Sequence, residues 1–170
     1  MKRLVIGTYD PKWPLVYEKE RAAILGAIGD RLVAIEHVGS TSVPGLGAKP
    51  IVDILAGLPR LADAEACIRP LAELGYHFVP EAMLDLPDDR YFERWTDGYE
   101  QGTEIAHLHL TEHNAPFWRD HVRFRDLLRQ QPETAAAYER LKRQLAPLHT
   151  SGATYASAKT DFITSVLTQD

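Results

Sequence analysis

The chain has 170 residues, 45% of them hydrophobic and 25% charged, with a formal net charge of −5. That length suits a single domain over 1–170 whose core needs no disulfide or metal staple. The acidic balance argues against broad electrostatic binding to nucleic acid, and no run approaches the ~18 apolar residues that cross a membrane.

In chain order, Met1-Lys2-Arg3-Leu4-Val5-Ile6 is basic and then apolar, in the manner of a signal peptide. It is broken by Gly7-Thr8-Tyr9-Asp10-Pro11 too early for an apolar signal core. Trp13, Val16, Tyr17, Ile24 and Ile28 recur at helical spacing, with Pro14 in the first turn where its missing N–H costs nothing. Residues 32–38 are rich in β-branched side chains and end at Gly39, which predicts a strand. Residues 40–50 are Gly, Pro, Ser and Thr punctuation, a loop, and residues 51–56 are almost continuously apolar, a buried strand. An eleven-residue loop is short for a crossover, so these two strands are expected to pair antiparallel.

Leu61, Ala64, Ile68, Leu71 and Leu74 predict an amphipathic helix stopped by Gly75. Cys67, the one cysteine, falls on its apolar stripe and cannot form an internal disulfide, so a reduced, cytoplasmic setting is expected. Strands are predicted at 76–79 and 90–95, flanking the acidic loop at 85–89, and at 105–111, where Ile105, His107, His109 and Thr111 share one face. The last third is helical: Asn114 is expected to cap one helix, Pro132 to open another, and residues 151–167 to form a third. The order implies an α+β fold, a mixed β-sheet covered by helices with a helical C-terminal third.

The densest chemical signal is His37-Val38-Gly39-Ser40-Thr41-Ser42, continuing through Lys49 to Asp53. Glycine lets backbone N–H groups approach an anion, the Ser40, Thr41 and Ser42 hydroxyls are further donors, and Lys49 adds a charge. Asp53 between Val52 and Ile54 is a carboxylate in an apolar strand, which calls for a metal ion or other cation nearby. His107 and His109 stand about 7 Å apart on one strand face and can share a metal or a phosphate, with His37 a candidate third member. His77, His113, His121 and His149 read as structural or surface residues. Arg119, Arg123, Arg125 and Arg129 read as a solvated helix face with Asp120 and Asp126.

The segment from His37 to Asp53 is one of several motifs that together resemble the GrpB-like proteins of the nucleotidyltransferase superfamily. The others are Arg90-Tyr91-Phe92, His107-Leu108-His109-Leu110, Phe117-Trp118-Arg119 through Phe124-Arg125-Asp126, and the run from Tyr155 to Ile163. The resemblance covers nearly the whole chain and implies a nucleotidyltransferase-like fold, with related domains fused to dephospho-CoA kinase. It implies that Gly39 and Ser40 grip phosphates and that Asp53 is the first metal-binding carboxylate. It also makes Arg90 and Lys159 anion ligands.

The superfamily's second carboxylate position is Leu55 here, and the later strand offers His107 and His109 rather than an acid. Imidazole suits zinc better than magnesium, so the expected cofactor is a divalent ion, Mg or Mn, or Zn given the histidines. Asp53, His107 and His109 are its ligands, with Asp53 and His109 catalytic. The expected partner is a nucleotide or another phosphorylated small molecule, and the first reading is metal-assisted nucleotidyl transfer. The alternative is a non-catalytic phosphate-binding module, for which Leu55 is the direct evidence. A two-histidine phosphoesterase reading, from His109-Leu110-Thr111 and His149-Thr150-Ser151, is weaker because the second motif lies between helices.

Overall fold

Strands β1 (Ala34–Val38), β2 (Val52–Leu58), β3 (Tyr76–Phe78), β4 (Asp89–Trp95) and β5 (Glu104–Glu112) form one mixed sheet of order β1-β2-β5-β4-β3 in the computed structural model. The structure describes residues 4–169, so Met1, Lys2 and Arg3 of the basic amino-terminal segment lie outside the described residues. β1 and β2 pair antiparallel, as the short loop between them requires, while β2 and β5 are parallel and the remaining pairs antiparallel. No described helix is long and apolar enough to cross a membrane.

Strand alternation gives the sheet two unlike faces. Ile54, Ala56, Leu58, Phe92, Leu108 and Leu110 point to one face and form the main core with helices α1 (Trp13–Ile28) and α2 (Glu65–Glu73). Pro14 lies in the first turn of α1, and Cys67 is fully buried on the inner side of α2. Asp53, Leu55 and Gly57 occupy the other face, with His107, His109, Tyr91 and Glu93 opposite them in register.

Helix α3 (Pro116–Gln130) covers part of this second face by seating Trp118 on Leu55 and Val38. Gly57 permits that approach: a Cβ there would stand 2.9 Å from the Trp118 ring and 3.0 Å from His113. Helices α4 (Pro132–Leu145), α5 (Gly152–Ser157) and α6 (Thr160–Leu167) complete the chain. Leu128, Tyr138, Phe162 and Ile163 from α3, α4 and α6 enclose Val43 and Leu46, so the loop between β1 and β2 is wedged between sheet and helices.

Two helix expectations are corrected. Asn114 does not cap α3; it adopts φ +64° in the preceding turn, and Ala115 is the N-cap. The last predicted helix is two, separated at Ala158 and Lys159, with the Ser151 hydroxyl accepting the Thr154 N–H at the start of α5.

Candidate functional site: a Gly-Ser turn beside an acid–histidine cluster

β1 ends where Gly39 turns the chain with φ +69°, ψ −176°, a conformation that side chains other than hydrogen disfavour. Space reinforces the requirement, since a Cβ on Gly39 would lie 2.1 Å from Asp53 Oδ2. The loop and the carboxylate that sequence motifs paired are therefore in direct contact.

The following turn, Ser40–Ser42, sends its three hydroxyls to different places. Thr41 is buried and its Oγ1 lies 3.0 Å from His37 Nε2, while the Ser42 hydroxyl donates to the Gly39 carbonyl at 2.6 Å. These two hydroxyls are engaged within the turn and its entering strand. Ser40 is the one that meets a cation. It accepts a 2.9 Å hydrogen bond from Lys142 Nζ of α4, and the same ammonium donates to the Gly47 carbonyl.

Lys142 is 2% exposed and has no carboxylate partner among the described residues. Burial and then the nearby Lys159 charge push its ammonium down to about 7. Lys159, at the start of α6, lies 4.3 Å from the Tyr155 ring centroid, with Lys49 on the same ring at 5.8 Å. Burial brings Lys159 to about 8, with Asp53 pulling the other way and Lys49 adding to the fall. The Tyr155 hydroxyl is buried without a hydrogen-bond partner among the described residues. Three lysines thus converge on the Gly39-Ser40 loop and Asp53, an arrangement suited to several phosphate oxygens.

The loop is fixed from outside by residues that sequence reasoning assigned to solvent or did not single out. Arg129 donates twice to the Ser42 carbonyl, at 3.0 and 2.8 Å, and the Gly47 N–H donates to Glu139 Oε2 at 2.8 Å. Arg125 is buried, bonded to Glu36 at 2.6 Å and to the His37 carbonyl at 3.0 Å. Arg125 and Arg129 are therefore staples of α3 to β1 and its loop rather than part of a solvated face. Arg90 is also relocated: it pairs with Leu110 across the sheet, on the face opposite Asp53, and donates to the Pro87 and Asp89 carbonyls.

Asp53 has a side chain 30% exposed, and its Oδ1 lies 3.1 Å from His107 Nδ1. His107 Nε2 is 2.8 Å from Glu104 Oε1, so the ring bridges two carboxylates. Burial opposes the Asp53 charge, but the His107 hydrogen bond and charge, with His109 and Lys49, bring its carboxyl down to about 2. In the same way burial disfavours the imidazolium, and Asp53 and Glu104 outweigh it to lift His107 to about 9.

His109 has a separate partner. Its Nδ1 lies 2.5 Å from Oδ2 of Asp89, a buried carboxylate whose other oxygen has no hydrogen bond, and its ring is flanked by Tyr91, Phe117 and His121. The two histidines share a face as alternation predicted, but each is oriented by its own acid. His37 does not join them. It stacks on Tyr17 of α1 at 4.5 Å on the opposite face, where burial lowers it to about 4 against the pull of Asp53. His77 stacks on Tyr99, and His113 packs edge-on against Trp118, in keeping with structural roles. His149 lies between helices rather than on a strand, so the second phosphoesterase motif has no strand to present it.

Leu55, two positions beyond Asp53 on the same face, is 0% exposed and packs with Trp118 of α3 and with Val38. Of the acids that complete the acid–histidine cluster, sequence reasoning places Asp89 only in the acidic loop at 85–89 and does not single out Glu93 or Glu104. Single acids near strand ends carry no spacing signal. Lys142 had one, lying a turn beyond Tyr138 on the inward stripe of α4.

The chain is a mixed five-stranded sheet with helices, in which a Gly-Ser turn after the first strand lies against a carboxylate of the second, and its fold is nucleotidyltransferase-like. The fold comparison agrees: a Cid1 poly(U) polymerase structure superposes with a TM-score of 0.52 over 81% of this chain and 40% of that one, at 13% identity. Residues 3–169 match the GrpB protein family, and the chain belongs to that family. The crystal structure of the conserved protein GrpB from Enterococcus faecalis is similar over 95% of this chain and 94% of that one, with a TM-score of 0.81 and 30% identity. The glutamate-rich protein GrpB of Alkalihalophilus pseudofirmus is 31% identical over 98% of this chain and 95% of its own length. A dephospho-CoA kinase of Mycolicibacterium paratuberculosis is 34% identical across 48% of this chain, a match that occupies 21% of that longer protein.

Proposed function

We propose that this protein binds a nucleotide or another phosphorylated small molecule at the Gly39-Ser40 turn, and acts on it as a nucleotidyltransferase-like enzyme. The observation that carries the reading is Lys142, a buried lysine held at Ser40 Oγ with no carboxylate in salt-bridge contact among the described residues. An anion placed against Ser40 supplies the missing counter-charge, and Lys49 and Lys159 share the load of a polyphosphate. Asp53 lies beside the turn and would face the phosphates, with His107 as its fixed cationic neighbour.

His109, oriented through Nδ1 by Asp89, is the residue proposed to accept the proton of an attacking hydroxyl. The magnesium pair of the superfamily is not part of this proposal, because Leu55 closes its second position. The same residue favours a second reading, a module that holds the phosphorylated ligand without turning it over.

Turnover separates the two. The full chain is incubated with labelled nucleoside triphosphates and magnesium, manganese or zinc, and pyrophosphate release is followed. Release that is lost in His109→Gln supports the enzyme; saturable binding with no release under every condition supports the module.

A further inference from the structure

Glu93, Glu104 and His107 form an acid–histidine cluster on β4 and β5, beside Asp53 of β2. One ligand atom each from Glu93, Glu104 and His107 lies within 4.8 Å of the others, with Glu93 on β4 and Glu104 and His107 three positions apart on β5, across the register shift at Arg94/Trp95. Glu93 and His107 are direct register partners across β4 and β5, which fixes their mutual position by the sheet itself.

The surroundings have the form of a second coordination shell. His107 Nδ1 is held by Asp53, which sets the ring so that Nε2 faces Glu104. Ligating histidines characteristically donate their other ring N–H to a carboxylate in this way. Glu93 is held in turn by the Tyr91 hydroxyl and the Trp95 indole N–H, each at 3.3 Å. Charge points the same way. Asp53, Glu93 and Glu104 bring three carboxylates around one imidazole, and Lys49 is the further cation acting on Asp53 and Glu104.

We infer that Glu93, Glu104 and His107 Nε2 bind a single first-row divalent ion, with Asp53 acting as the carboxylate that orients His107. The ion takes the place of the proton between Nε2 and Glu104. One imidazole with two carboxylates suits manganese or zinc, whereas magnesium prefers an all-oxygen shell. Three protein ligands leave coordination positions for water. The site revises the expected ligand set: Asp53 moves to the second shell, His109 belongs to Asp89, and Glu93 and Glu104 enter. It does not depend on the phosphate reading, because the ion itself is the probe.

The chelator-stripped full chain is titrated with Mn²⁺, followed by the free-ion paramagnetic resonance signal, and with Zn²⁺ against a chromophoric chelator. The expected result is one ion per chain, tighter than about 100 μM for at least one of the two metals. Glu104→Gln and Glu93→Gln keep side-chain shape and should each weaken binding at least about tenfold, and Asp53→Asn by roughly 10–100-fold through loss of the orienting contact. In the unaltered protein, substoichiometric Mn²⁺ should broaden the His107 ring resonances before those of His37 or His149. Absence of saturable binding of both ions, or binding unchanged in both glutamine variants, overturns the site. So does broadening that begins at another histidine.

Discussion

Replacing Lys142 by methionine tests the logic of the site through stability as well as binding. The ammonium is 2% exposed, and burial with the neighbouring Lys159 charge lowers it from 10.5 to about 7. At about 1.4 kcal/mol per pKa unit, the charged lysine costs the folded state roughly 4–5 kcal/mol below pH 7. Methionine keeps the length and removes the charge. It also strands the Ser40 hydroxyl and the Gly47 carbonyl, at roughly 1–2 kcal/mol each.

The net expectation is that Lys142→Met is as stable as the parent or up to about 3 kcal/mol more stable at pH 6. The pH trend is sharper than the absolute value. Because the folded pKa lies below the unfolded one, the unfolded chain holds the extra proton between about 7 and 10.5, and parent stability rises with pH in that window. The variant lacks this rise, so its advantage should shrink by roughly 2–3 kcal/mol between pH 6 and pH 9. Urea unfolding at both pH values measures it. A difference between variant and parent that does not change with pH would refute the claim that Lys142 is an uncompensated buried cation.

Further outcomes follow from the same geometry. Gly39→Ala forces a side chain into φ +69° and onto Asp53 Oδ2, and should lower stability by at least about 2 kcal/mol in thermal unfolding. Leu55→Asp, which restores the superfamily's second carboxylate by sequence, should cost about 3–5 kcal/mol rather than build a metal pair, since the position is sealed under Trp118. Calorimetry shows which: a variant as stable as the parent would mean that α3 yields the space. For the Asp53–His107 pair, the lowered carboxyl stabilises the fold above about pH 4 and loses that effect as pH falls through about 2. The raised imidazole stabilises it below about pH 6.5 and loses its effect as pH rises through about 9. Asp53→Asn should therefore flatten both limbs, as read by melting temperature against pH.

Much of the architecture was legible because it is written in local terms. The β-branched run before Gly39, the apolar run around Asp53 and the alternation from Ile105 to Thr111 each specify a strand without outside help. The eleven-residue loop dictated antiparallel pairing of the first two.

Tertiary pairing was not legible. The Thr41 and Ser42 hydroxyls look like Ser40's in sequence, and only the turn's shape turns them inward. Arg125 and Arg129 lie on a charged helix face until β1 and its loop supply carbonyls for them. His107 and His109 alternate together, yet the register of β4 assigns Glu93 to one, and Asp89 at the head of that strand reaches the other.

The central claim is that the Gly39-Ser40 turn and its lysines form a phosphate site. Calorimetric titration of the full chain with inorganic triphosphate in metal-free buffer tests it most directly, alongside Lys142→Met and Lys159→Met. Saturable binding by the parent, weakened about tenfold or more in each folded variant, is the predicted result. Binding of equal strength in both variants, or no binding by the parent, would contradict it.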